Sequence, residues 1–244
     1  MKKMALALLL IVLLVAGGAA WWVYQSRDRL VAEAIRSYLP AITGTSVSLE
    51  GVHIDATAGT AELRGLVLGN PAGFKMPHAV QVERVRVTLD VASLAQPVVR
   101  IQEVLVESPG VAYEYASGGS NLDHIQRQVS QYLAAHGGKD AAKPQDAEPG
   151  KKLIIDSLVI RGAKAEVSAR ALNGKSLTVP LADVRLQDIG KKQGGATPAQ
   201  VAEQVIGALS YGATRAASGV GGMADSIKSG AAAAGQAIKG LFSK

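Results

Sequence analysis

Residues 101–106 read Ile-Gln-Glu-Val-Leu-Val, and residues 155–160 read Ile-Asp-Ser-Leu-Val-Ile. In both, an apolar residue is followed by two polar ones and then by an apolar–any–apolar triplet. The pattern returns at 49–54 (LEGVHI), 63–68 (LRGLVL), 82–87 (VERVRV) and 181–186 (LADVRL). A strand turns alternate side chains to one face, so its apolar residues repeat every second position. Two intervening residues add one extra, which is what a β-bulge accommodates, bending the strand while its side chains return to the original face. Six copies predict a mainly β protein with helices, built on a twisted, curved antiparallel sheet with one apolar face. Its apolar pairs name a candidate groove: Val52 and Ile54, Leu66 and Leu68, Val85 and Val87, Val104 and Val106, Leu158 and Ile160. For any single one of these residues, ordinary core packing is the simpler reading.

The copies at 101 and 155 are also alike downstream. Apolar residues come at 111 and 113 in one and at 163, 165 and 167 in the other, past Pro109-Gly110 and Arg161-Gly162 respectively. This reads as a bulged hairpin used twice, an internal repeat. Asn70-Pro71-Ala72-Gly73-Phe74 is a turn that frees Phe74 and Met76 to fold back over the end of the sheet. Leu122, Ile125, Val129, Tyr132 and Leu133 form one apolar stripe, so a helix is expected over 121–135, capped by Asn121 and packed on or plugging the sheet. Residues 137–150 (GGKDAAKPQDAEPG) have the composition of a flexible linker, and Asn173-Gly174 signals a tight turn. The β domain is expected to span 43–190.

Outside that domain the period is helical. Met4 to Tyr24 holds twenty-one residues without a charged side chain, about 30 Å as a helix, enough to cross a bilayer core. Lys2 and Lys3 precede it as a cytoplasmic flank, and Trp21 and Trp22 sit where interfacial aromatics anchor a span. Residues 1–24 are therefore read as a transmembrane signal-anchor. Gly18 and Ala20 equally fit cleavage before Trp21. A juxtamembrane helix is expected over 25–42, where Leu30, Ala34, Ile35 and Leu39 recur at helical spacing before Pro40. After Gly190, Thr197, Pro198 and Gln200 make a helix start with a capping box. The Ala/Gly-rich basic tail, 191–244, carries a narrow apolar seam interrupted by glycines. It reads either as a helix gaining order on a membrane or a partner, or as disorder.

Composition removes several function classes. The chain has no cysteine, so an exported domain would hold together by burial alone and thiol chemistry is excluded. Of the net charge of +6, Lys2 and Lys3 supply two, and the tail has six Lys/Arg against Glu203 and Asp225, which leaves residues 4–190 neutral. A neutral domain has no excess of cations to hold phosphates, so nucleic acid is not an expected partner. His53, His78, His124 and His136 lie far apart without metal-ligand spacing. Asp55, Asp90, Asp123 and Asp156 occur singly, as turn and cap residues do. No catalytic, cofactor or metal residues emerge, and the chain reads as a non-enzyme.

The N-terminal span, the bulged strands, the turn GLVLGNPAGF (Gly65 to Phe74) and the late strand LADVRLQDIG (Leu181 to Gly190) together resemble the AsmA-like superfamily. The resemblance covers about residues 1–190. It implies a single-pass protein of the inner membrane with its bulk in the periplasm, a sheet curled into an apolar groove, and a role in phospholipid movement or outer-membrane assembly. Phospholipid, envelope assembly partners or further copies of the chain would then be its partners. It brings no catalytic residues. Larger members have many more strands, and a groove of this length would not cross the space between two membranes unaided. Two other readings stay open: an envelope scaffold without a lipid ligand, and a membrane-associating stress protein acting through its C-terminal helix.

Overall fold

A computed structural model of the chain describes residues 28–116, 118–136, 151–168 and 176–219. The expected membrane segment, the 137–150 linker, the Asn173-Gly174 turn and the tail beyond 219 lie outside them. Among the described residues no helix is long and apolar enough to cross a membrane. A helix over 28–43 (α1) leads into β1 (Val47–Ser48), β2 (Gly51–Asp55), β3 (Thr60–Gly69) and β4 (His78–Leu89). A 3-10 turn, Val91–Ala95, precedes β5 (Val98–Glu107), β6 (Gly110–Ala116), β7 (Gly119–Ser120) and helix α2 (Asn121–His136). Then come β8 (Lys152–Arg161), β9 (Lys164–Ser168), β10 (Ser176–Pro180), β11 (Val184–Ile189), a second 3-10 turn at Lys191–Gln193 and a helix over 198–219 (α3).

The expected hairpins are not hairpins. At Pro109 and at Gly162 the chain bends and continues in the same direction. Thus β5 and β6 run on as one path along β4, with Arg84 opposite Glu107 and Val80 opposite Val111. Ser108 has φ 50° and Gly162 φ 65°, and the ladder crosses the bend without a gap. The Ser108 N–H donates to the Arg161 carbonyl (2.8 Å) and the Lys164 N–H to that of Pro109 (3.0 Å). The internal repeat is real, but its copies lie side by side. Partners are 54 residues apart all along, with Ile101 beside Ile155 and Tyr113 beside Val167. Such neighbours must be parallel, so the sheet is mixed rather than antiparallel. The long connection through α2 supplies the crossover that parallel neighbours need.

The sheet is therefore six bent paths in the order β1–β2, β3, β4, β5–β6, β8–β9, β10–β11. Every path takes a three-residue step between inward side chains here, level with its neighbours, and β5 and β8 take a further one each, Ile101 to Val104 and Ile155 to Leu158. The level steps run from Leu49 to Val52, Leu63 to Leu66, Val82 to Val85, Val106 to Pro109, Ile160 to Ala163 and Leu181 to Val184. Leu63 pairs with Val85 and Leu66 with Val82, Val106 pairs with Ile160, and the Leu181 N–H donates to the Ala163 carbonyl. The result is a transverse seam where two successive residues of each path face outward and the sheet folds toward its apolar side. Gly65, φ 59°, and Gly162 take left-handed conformations there that side chains resist. A separate bulge at Gln102, where Thr88 pairs with Glu103 and Leu89 with Ile101, keeps Ile101 on the face of Val104.

Helices cover one edge and part of the concave face. Along the β1–β2 edge, Arg36 of α1 donates to the Leu49 carbonyl and the Ile54 N–H donates to Asp28. An edge so covered offers less backbone for another strand to pair with. On the concave face, α2 buries Leu122, Ile125 and Val129 completely. Its cap is Ser120 rather than Asn121. Ser120 Oγ accepts from the Asp123 N–H (3.1 Å) and Asp123 returns the bond to the Ser120 N–H (3.0 Å), a reciprocal box. The expected Thr197–Gln200 box closes at 3.3 and 2.8 Å. From it α3 runs antiparallel to α2, burying Ile206, Leu209 and Ala213 in the same core. Ser130 donates to Glu203 and Ser210 to Asp123 between the two helices.

Candidate functional site

The pairing of bent strands sorts the inward side chains into rows across the sheet. On one side of the seam, Val52, Leu63, Val85, Val106, Ile160 and Val184 form a row of successive partners. Next to it, Ile54, Ala61, Val87, Val104, Leu158 and Leu186 form another. Beyond the seam the matching row is Val47, Leu68, Val80, Val111, Ala165 and Val179. Eight of the ten residues expected in the groove thus fall in the first two rows, and Leu66 and Leu68 lie across the seam.

Burial differs between the two sides. Leu68, Val80, Val111 and Ala165 are buried under α2 and α3, with Val47, Leu66 and Val179 around them half-buried, whereas on the near side Val52, Ile54, Leu63, Val87 and Val104 are half-buried around a buried Val85. On the same side as these, but toward β8, the face closes again: Leu158 and Ile160 are 4% and 1% exposed, and Ala196 and Ala199 of the α3 start lie in the core with them. The concave face is therefore filled at one end and left half-open over β2–β5 at the other. The open part faces the end at which the described chain enters, since the α1 start binds Ile54. Val52 and Ile54 lie outside the main buried cluster, while the other eight groove residues belong to it or pack against it.

Complete burial of a Val or Leu side chain stabilises by about 1.5–3 kcal/mol relative to exposure. The half-open rows forgo part of that gain, and any apolar chain laid over them would recover it. A shallow depression on α2 is lined by Asp123, Gln126, Arg127, Ser130, Gln131 and Ala134. Among the described residues no group of three His, Asp or Glu could hold a metal ion.

A polar clasp fixes α2 at the filled end, and sequence reasoning missed it. Asn121 is fully buried. Its amide nitrogen donates to Asn70 Oδ1 (2.7 Å) and the Ala112 carbonyl (2.8 Å), and its oxygen accepts from the Glu114 N–H (3.0 Å). The Glu114 carboxylate in turn receives the N–H groups of Lys75 and Met76. Phe74 meets the His124 ring edge-on, with centroids 5.0 Å apart. The 70–77 loop does fold back over the sheet end, and what it grips is α2.

The convex face is charged. At the seam, Glu62 lies between Arg64 and Arg84, and Glu107 between Arg86 and Arg161. The hydrogen bond from Arg64 holds Glu62 below the usual carboxylate range, and the bond from Arg161 does the same for Glu107. Asp123 loses solvation by burial, which alone would raise it, yet its bonds from Ser120 and Ser210 and the Arg127 charge leave it below its ordinary value.

A comparison of the chain with curated protein sequences finds no match. The model of the AsmA family matches residues 59–197, from the β2–β3 turn to the cap of α3. That span holds the seam, the parallel repeat and α2, and on it the chain belongs to the AsmA family.

Proposed function

We propose that this chain is a non-enzymatic, membrane-anchored protein of the Gram-negative envelope that takes phospholipid acyl chains onto the open part of its concave face. One observation carries the reading: on the near side of the seam Val52, Ile54, Leu63, Val87 and Val104 are left half-buried, while Leu68, Val80, Val111 and Ala165 beyond it are covered by the protein's own helices. Family membership supports a role in lipid transport or envelope assembly. The residues assigned to acyl-chain contact are Val52, Ile54, Leu63, Val87 and Val104, with α2 and α3 closing the trough beyond the seam. Residues 4–24 provide the inner-membrane anchor in this reading, and the sheet stands in the periplasm.

The test is extraction of the full-length chain, purified from its membrane in mild detergent, with mass spectrometry of the bound lipid. Phospholipid is expected in stoichiometric amount, and less of it in Val104→Asp and Val87→Asp chains that retain their fold. A wild-type chain that carries no lipid above the level of a control membrane protein sinks the proposal. The cover provided by α2 and α3 favours a second reading, a scaffold whose face serves only to seat its own helices. That reading expects an empty wild-type chain.

A further inference from the structure

We propose that the end of the sheet where the described chain enters is a docking face for an anionic bilayer surface. The proposal rests on the membrane anchoring of the preceding reading and adds the surface that meets the lipid headgroups. At this end the 3-10 turn Val91–Ala95 presents Val91 and Leu94, 44% and 42% exposed, large apolar side chains that the fold could have turned inward. The turn is held firmly. Asp90 accepts from the Ala92 N–H, and Ser93 Oγ donates to the Asp90 carbonyl and accepts from the Arg100 N–H. Two exposed side chains on a fixed turn keep their aim.

The cations around them are lysines. Lys151 Nζ donates to the carbonyl of Leu94 itself, and the Lys152 N–H binds the Pro97 carbonyl one step away. Lys191 and Lys192 form the 3-10 turn after β11 at the same sheet end. Lys191 is paired with Asp188 at 2.9 Å, whereas Lys151, Lys152 and Lys192 have no carboxylate at ion-pair distance among the described residues. Of the acids at this end, Asp156 and Asp188 are offset by Arg100 and Lys191, while Asp90 and Asp55 keep their charge within backbone hydrogen bonds, so Lys151, Lys152 and Lys192 share this end with two further carboxylates. Exposed aliphatic side chains ringed by unpaired lysines are the chemistry that binds the interface of an anionic membrane.

Chain length brings the face to that surface. Three residues separate Tyr24, the end of the charge-free run, from residue 28 of α1, and the four Cα–Cα steps reach at most about 14 Å. A span at 4–24 therefore leaves Asp28, which receives the Ile54 N–H at this sheet end, within about 14 Å of the end of the span. Docking would set the mouth of the trough against the leaflet from which a lipid could enter.

The absence of cysteine makes a direct test simple. Full-length chains carrying Leu94→Cys, Val91→Cys or, at the opposite sheet end, Ala72→Cys are labelled with a fluorophore and reconstituted into vesicles containing brominated acyl chains. All three positions are exposed, so the variants keep the fold. In phosphatidylethanolamine–phosphatidylglycerol vesicles the labels at 91 and 94 are expected to be quenched at least twofold and the label at 72 left unchanged. Quenching should fall in phosphatidylcholine vesicles, and likewise when Lys151, Lys152 and Lys192 are all changed to Gln. Labels at 91 and 94 that are no more quenched than at 72 overturn the proposal, as does quenching indifferent to lipid charge. Lipid extraction on the same samples separates the two ideas. A docked but lipid-free chain removes the acyl-chain reading alone, and a lipid-loaded chain with unquenched labels removes docking alone.

Discussion

Val104 and Leu158 are adjacent partners in one row, yet placing an aspartate at each should have different consequences. Leu158 is 4% exposed. Its loss removes about 2 kcal/mol of burial, and the new carboxyl has no water. At pH 7 it must take a proton, which for a group of ordinary pKa about 3.9 costs about 4 kcal/mol. Together that approaches the whole stability of a typical domain, about 5–15 kcal/mol. The folded pKa lies above the unfolded one, so the unfolded chain releases its proton first as pH rises. The loss should therefore be near 2 kcal/mol around pH 4 and grow steadily toward neutrality. Val104 is half-buried on the open side. A carboxylate there can turn to water and stay charged, costing about 1 kcal/mol with little pH dependence.

The assay is denaturant unfolding of the full chain in mild detergent, monitored by far-ultraviolet circular dichroism at roughly pH 4 and pH 7. Leu158→Asp is expected to lose stability steeply between the two, while Val104→Asp keeps its fold at both and carries less phospholipid. If Val104→Asp shows the same pH slope as Leu158→Asp, the rows are closed and the open trough does not exist. If it folds and keeps its full lipid load, the trough is open but is not where lipid lies.

Asn121→Leu strands the Ala112 carbonyl and the Glu114 N–H and frees the 70–77 loop, so a loss of about 2–4 kcal/mol is expected in the same unfolding assay, with Phe74 released from His124. Gly65→Ala puts a side chain into the left-handed region at φ 59° against Glu50. It should cost about 1–2 kcal/mol, and Glu50→Ala should relieve the contact but not the backbone strain. Asp123 has a lowered pKa, so its ties to Ser120 and Ser210 contribute fully above the ordinary carboxylate range and fade as pH falls through the lower folded value. The stability gap between the wild type and Asp123→Asn should therefore narrow between roughly pH 5 and pH 2.

Some of this architecture is legible in the residues and some could not be. The apolar–two–apolar signature identifies the seam at 49, 63, 82 and 181 because every inward side chain must regain its face after the extra residue, and that demand is local. The copies at 101 and 155 mark the separate steps to Val104 and Leu158 instead. Pro109-Gly110 and Arg161-Gly162 mislead because a hairpin and a bent strand use the same turn residues. Only the ladder from Ser108 to Arg161, between segments 53 residues apart in sequence, decides between them. The helix from Thr197 announces itself in its capping box. Its destination is hidden, because an alanine-rich face serves a membrane, a partner or a close-packed core equally well. Ala199 and Ala213 turn out to permit close approach to the sheet. Asn121 reads as a cap for want of its main partner, Asn70, which the fold brings from 51 residues away.

The level seam also explains why the trough has two ends of different character. Extra residues staggered from strand to strand would throw neighbouring ladders out of register and flip apolar rows to the convex face. Placed level, they keep the neighbouring ladders paired across the seam. Both halves then present Val, Leu and Ile inward, and both need cover. The chain supplies it through α2 and α3 beyond the seam and, on the near side, most fully over β8, where Leu158 and Ile160 are buried. Apolarity is thus common to the whole concave face and identifies no ligand. What distinguishes the rows from Val52 to Val104 is that the protein's own helices stop short of them. The half-buried aliphatic rows end on the same side of the sheet as Val91, Leu94 and the lysines, which is the arrangement the proposed docking requires.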